Sequence, residues 1–288
     1  MLPSRSEFLP VRGLRLHVRR WGDPAAPTLF LLHGWMDVSA SFQFTVDALA
    51  RDWNIVAPDW RGFGPSEWLG RPYIFAEHLG DLEAILDHYA PGAPVRLVGH
   101  SMGGILACLY AGIRPERVRK VVTLEGFGIA PNPPAMAPER YRKWLDCLQS
   151  PPRMHVYTDR AAFARRLQHD DRFLTPERAA FLSKHLAREA EGGVVWNGDP
   201  WHKAPGPYLF RLEESMAVWR QATAPVLWVV GRDSWVVREF ATRPGDWEAR
   251  RACFAQVEEH WIDDAGHMLH HDQPEAVARL AEEFLLRT

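Results

Sequence analysis

The 288-residue sequence predicts an α/β protein, a buried sheet with helices on both faces and a helical insertion in its second half. Three observations predict it. Short apolar, β-branched runs recur along the chain and read as parallel strands buried on both sides. Longer stretches between them return apolar residues every three or four positions, the period of an amphipathic helix. Finally, the strand signal lapses over residues 127–223, where Pro, Gly and Asp separate helical pieces.

In chain order, residues 28–32 (Thr-Leu-Phe-Leu-Leu), 55–57, 95–98 and 121–124 are the first core strands. Residues 75–89 form a helix, because Leu79, Leu82, Ile85, Leu86 and Tyr89 share one face, and residues 102–114 form another. After the Pro-rich break at Pro131, Pro133 and Pro134, helices are expected at 141–148, 161–168, 176–190 and 212–219, with no buried strand among them. Residues 225–231 restore a central strand, 258–262 supply another, and 274–286 close the chain as an amphipathic helix. The expected organisation is one α/β core, residues 1–126 and 224–288, with residues 127–223 inserted as a helical cap.

Composition narrows the function. With 36 acidic against 34 basic residues and a net charge of -2, no broad field exists to steer the chain onto nucleic acid or anionic lipid. The insertion carries three more basic than acidic residues, Arg153, Arg160, Arg165, Arg166 and Arg172 among them, which reads as a solvated helical face. No apolar run reaches the length of about 20 residues that spans a membrane, and the first residues, Met1 to Glu7, lack a signal peptide's apolar stretch. Cys108, Cys147 and Cys253 are far apart without metal-ligand spacing, so a reducing, cytoplasmic location is expected. Gly62-Phe63-Gly64 is too short for a dinucleotide site, and no cofactor is expected.

The chemistry gathers at Gly99-His100-Ser101-Met102-Gly103, a Gly-x-Ser-x-Gly between a predicted strand and a predicted helix. A sharp strand-to-helix turn strains its middle residue and lifts that side chain out of the sheet, while the flanking glycines remove side chains that would collide. Ser101 is thus the candidate nucleophile, displayed at the positive end of a helix.

Here the sequence resembles the α/β-hydrolase family. His33-Gly34-Trp35 resembles that family's oxyanion loop, residues 59–66 (Asp-Trp-Arg-Gly-Phe-Gly-Pro-Ser) its glycine-rich loop, and residues 99–104 its nucleophile elbow. Asp264-Ala265-Gly266-His267, followed by Gln273-Pro274-Glu275, resembles the loop that carries its histidine. The resemblance implies an eight-stranded, mostly parallel sheet with a cap after the sixth strand, and a serine hydrolase. A serine hydroxyl needs an imidazole to take its proton and a carboxylate to orient that imidazole. His267 is the expected base, with His270 and His271 structural. Asp233, after the restored strand, is the expected acid, and Glu125, at the end of the strand at 121–124, is the alternative. The backbone N–H groups of Trp35 and Met102 are the expected oxyanion donors, and His33 is expected to support their loop. Trp60, Phe63, Phe127, Trp235 and Met268 flank the motifs and are the expected pocket walls.

Because the elbow carries Ser and not Asp, acyl transfer to water is the reaction expected. The first reading is an ester hydrolase for an apolar or aromatic small molecule, working through an acyl-enzyme as a monomer or homodimer. Alternatives are hydrolysis of a carbon–carbon bond in ring-fission products, of an ester on a carrier protein, or a binding protein that keeps the scaffold.

Overall fold

A computed structural model describes residues 1–287. The chain opens with an antiparallel hairpin, β1 (Ser4–Val11) and β2 (Leu14–Trp21), turned by Arg12 and Gly13 at positive φ. Patterning for buried runs misses this hairpin because β1 shows solvent all but its last turn of alternation, at Leu9 and Val11. There follow β3 (Thr28–Leu32), α1 (Gln43–Ala48), β4 (Asn54–Pro58), α2 (Glu77–Tyr89), β5 (Val95–His100), α3 (Met102–Ile113) and β6 (Val118–Leu124). The inserted stretch contains α4 (Ala137–Gln149), α5 (Arg160–Asp170), α6 (Pro176–Leu186), β7 (Ala187–Ala190), β8 (Gly193–Trp196) and α7 (Leu212–Trp219). The chain then returns through β9 (Val226–Gly231), α8 (Trp235–Ala241), α9 (Asp246–Arg251), β10 (Val257–Ile262), α10 (Leu269–Asp272) and α11 (Pro274–Leu286).

Eight strands form one sheet in the order β1-β2-β4-β3-β5-β6-β9-β10, antiparallel through β1, β2 and β4 and parallel from β4 onward. Alternate residues of the central strands serve opposite layers. Val98, Val122 and Val229 pack with Val277, Ala281 and Phe284 of α11, while Leu97, Val121 and Val230 pack with Leu106 and Tyr110 of α3. Each such side chain contributes about 1.5–3 kcal/mol by leaving water, which is why strands with a continuous apolar run occupy the centre. Among the described residues no helix is long and apolar enough to cross a membrane.

The insertion departs from the expected run of helices. The helix expected at 176–190 ends at Leu186, and Ala187–Ala190 pairs with Gly193–Trp196 as a two-stranded hairpin. Gly192, at φ 80°, makes the turn that a continuing helix could not. Phe163, Leu167, Leu182 and Val194 of the insertion close a small core with Val38, Ala40 and Phe44 of the sheet domain.

A second anchor is His202, stacked between Phe63 and Tyr73 with ring centroids 3.8 and 3.7 Å away, its Nε2–H donating to the Arg61 carbonyl. Burial, helped by His78, pushes its pKa down to about 3. The folded protein therefore holds His202 neutral where the unfolded chain would already bind a proton. Its stabilising contribution is complete above the ordinary histidine range and is lost as the pH falls from there toward 3. His202→Phe keeps the stack and removes the proton uptake, so Tm should fall less between pH 7 and pH 5 than in the wild type, as read by circular dichroism. Identical slopes would show that His202 does not titrate with unfolding.

Candidate active site

The C-terminal ends of β3, β5, β6 and β10 lie along one edge of the parallel sheet, and each leads into a loop that carries a candidate residue. Ser101 sits between β5 and α3 at φ 48° and ψ -114°, a conformation that points its side chain away from the sheet. Its N–H donates to the Leu124 carbonyl and its own carbonyl accepts from Ile105 N–H, which pins the turn from both sides. A Cβ on Gly99 would collide with the Gly103 backbone, and one on Gly103 with the Leu32 carbonyl. Gly103→Ala should therefore destabilise the fold by at least about 2 kcal/mol in urea unfolding. A loss below about 0.5 kcal/mol would mean the elbow yields freely.

His267 Nε2 lies 3.1 Å from Ser101 Oγ, placed to accept its proton. On the other side of the ring, Nδ1 faces Glu125 Oε2 at 3.3 Å. Glu125 follows β6 at φ 59°, and this left-handed backbone turns its carboxylate toward the imidazole. The carboxylate is fully buried and well held: Gly231 N–H donates to Oε1 at 2.7 Å and Ser234 Oγ–H to Oε2 at 2.6 Å. His100 fixes the histidine loop from below, donating from Nε2 to the His267 carbonyl at 2.8 Å.

Asp233, the acid expected first, is not brought to the imidazole. Its carboxylate turns outward to Arg172 of the insertion at 2.6 Å, and Arg238 donates to its carbonyl. What that loop offers the site is its next residue, Ser234, which supports Glu125 instead. Neither Ser234 nor Gly231 was singled out from sequence, although a serine three residues after the end of a core strand is the available signal.

His33 has the supporting place expected for it. Its Nδ1–H donates to the Gly34 carbonyl, its Nε2 accepts from Trp60 N–H, and burial keeps it neutral. The loop lies against the elbow, since a Cβ on Gly34 would stand 3.3 Å from that of Ser101. Trp196 of β8 grips the same loop, donating from Nε1 to the Met36 carbonyl at 2.6 Å. Met102 opens α3, where the first N–H groups of a helix have no intrahelical acceptor.

The expected pocket walls divide. Trp60, Phe63 and Phe127 are 0%, 0% and 1% exposed and belong to the core, so they line no open surface. Trp60 donates to the His33 carbonyl, Phe63 stacks on His202, and Phe127 packs against Trp228 and Trp247. Trp235 and Trp35 are about half exposed, Trp235 with its ring centroid 5.1 Å from that of His267, and Met268 is half-buried beside it. Proximity to a motif in sequence separated these two groups poorly, because a side chain next to a sharp turn points either into the core or out of it. A hydroxyl, an imidazole and a carboxylate in series is an arrangement suited to nucleophilic acyl transfer.

This sheet and this loop set define an α/β-hydrolase, and the chain belongs to that family: the family's description, alpha/beta hydrolase fold, matches residues 27–274. Over 303 aligned residues the chain is 28% identical to a serine hydrolase-like protein of Danio rerio, covering 99% of this chain and 90% of that relative. It is 29% identical over 234 residues to a 3-hydroxybutyrate-oligomer hydrolase of Cupriavidus necator, covering 76% of this chain and 77% of the relative. Among solved structures, the thioesterase domain from the curacin biosynthetic pathway superposes with a TM-score of 0.87 at 25% identity, covering 98% of this chain and 99% of that one.

Proposed function

We propose that the protein is a serine hydrolase that cleaves carboxylic esters of small apolar or aromatic molecules through an acyl-enzyme. The observation that carries this reading is the position of His267, whose two nitrogens face Ser101 Oγ and Glu125 Oε2 at once. Ser101 Oγ attacks the ester carbonyl carbon while His267 Nε2 takes its proton, and the imidazolium is stabilised by the Glu125 carboxylate. The N–H groups of Trp35 and Met102 stabilise the negative oxygen of the tetrahedral intermediate. His267 then gives its proton to the leaving alcohol, a water molecule enters by the same route, and the acid is released.

Trp235, exposed with its ring centroid 5.1 Å from that of His267, and the exposed Trp35 support an apolar or aromatic substrate. Residues 127–223 act as the cap, which meets the site through Arg172 on Asp233 and Trp196 on Met36. A thioester is the second reading, favoured by the full-length similarity to a thioesterase domain; both bonds use the same acyl chemistry. A fluorophosphonate probe tests the mechanism, with mass spectrometry to locate the adduct and a panel of aryl, alkyl and thioester substrates to sort the bond type. The expected result is one adduct on Ser101 and parallel loss of ester hydrolysis. Hydrolysis that survives complete labelling, or an active preparation that takes no label, would sink the reading.

A further inference from the structure

Beneath the candidate active site, three side chains converge that the chemistry above does not use. Asp37 comes from the loop after β3, two residues beyond Trp35, and His270 and His271 belong to α10, three and four residues beyond His267. They are 3%, 0% and 2% exposed, and one donor atom from each lies within 4.8 Å of the others. Asp37 Oδ2 and both ring nitrogens of His270 have no hydrogen-bond partner although they are sealed from solvent. His270 Nε2 stands 3.8 Å from Asp37 Oδ2, too far for a hydrogen bond.

A buried polar atom left unmatched loses the hydrogen bonds it had in water, so a cluster of them calls for a shared partner. A simple Asp–His hydrogen bond would match Asp37 with His270, yet it gives no reason for a third donor to face the same space. His271 does, with its ring centroid 4.1 Å from that of His270 and Ser41 holding its Nε2 in place. Two imidazoles and one carboxylate around one point is a donor set that suits borderline transition metals.

We propose that Asp37, His270 and His271 form a binding site for one transition-metal ion of the Zn²⁺ class, taken up as the protein folds. Because Asp37 sits on the loop with Trp35 and the histidines follow His267, the ion clamps the oxyanion loop to the histidine loop. His100 closes the far side of the cluster, its buried Nδ1 without a partner and its ring centroid 4.3 Å from that of His270.

The test is metal content by mass spectrometry of full-length protein expressed with added zinc and passed through gel filtration, with Co²⁺ absorption as a second readout. The wild type should retain about one ion per chain, and Co²⁺-grown protein should show visible d–d bands. Asp37→Asn and His270→Gln should each lower the retained metal more than about tenfold. His169→Gln, on an exposed histidine, should leave it unchanged. Asp37→Asn keeps the acceptor for Val38 N–H and serves should the His270 variant fail to fold. Metal-free wild type after growth with zinc, or equal metal in folded Asp37→Asn, overturns the proposal.

Discussion

Replacing Ser101 with Ala is expected to lower kcat for a short-chain aryl ester by about 10⁴- to 10⁶-fold, with KM changed far less. The hydroxyl's side-chain partner is His267 Nε2, so its removal takes away the nucleophile and leaves the elbow, the backbone donors and the surrounding core in place. Substrate should still bind, and a small residual rate from the oxyanion donors should remain. Folding is not at risk: the turn is held by Ser101 N–H on Leu124 and Ile105 N–H on Ser101, both backbone contacts that Ala preserves. Single-turnover measurement with matched thermal unfolding would check both halves. A variant that keeps more than about a tenth of the wild-type rate would remove Ser101 from the chemistry.

Glu125→Gln should cost about 10⁴-fold in kcat, whereas Asp233→Asn should change it by no more than about twofold. Gln is nearly isosteric, but its amide can present N–H to His267 Nδ1 and so drive the ring proton onto Nε2, where it blocks transfer from Ser101. It also fails its other neighbours, because Gly231 N–H and Ser234 Oγ–H both need acceptors and the amide has only one oxygen. Asp233 has no contact with the imidazole; its partner is Arg172, and the two side chains are 39% and 71% exposed, so that ion pair is screened by solvent. Rates for both variants on one ester, with circular dichroism to confirm folding, separate the two carboxylates. Loss of turnover in Asp233→Asn with little change in Glu125→Gln would reverse the assignment.

The core strands at 28–32, 95–98, 121–124 and 225–231 were legible because a parallel strand covered on both faces must be continuously apolar. The β1–β2 hairpin was not, since an edge hairpin needs only alternate burial and β1 shows that at Leu9 and Val11 alone. The end of α6 at Leu186 was equally hidden, because Ala187–Ala190 is strand only by virtue of its partner Gly193–Trp196. In the candidate site, Ser101 and His267 could be named from short local patterns. The partner of the imidazole could not, for Glu125 and Asp233 follow adjacent parallel strands and have similar sequence credentials.

What the sequence by itself determined is therefore what neighbouring residues enforce: a strained serine between glycines at the start of a helix, a histidine in a late loop, and the alternation that makes the sheet. The tertiary structure alone decided which acid faces His267, which aromatics stay in the core, and that Asp37 lies beside His270 and His271. Those outcomes depend on Arg172, Ser234 and the insertion arriving from far along the chain. Glu125 meets the buried donors Gly231 N–H and Ser234 Oγ–H while Asp233 meets the exposed Arg172, and only the folded arrangement sets those distances.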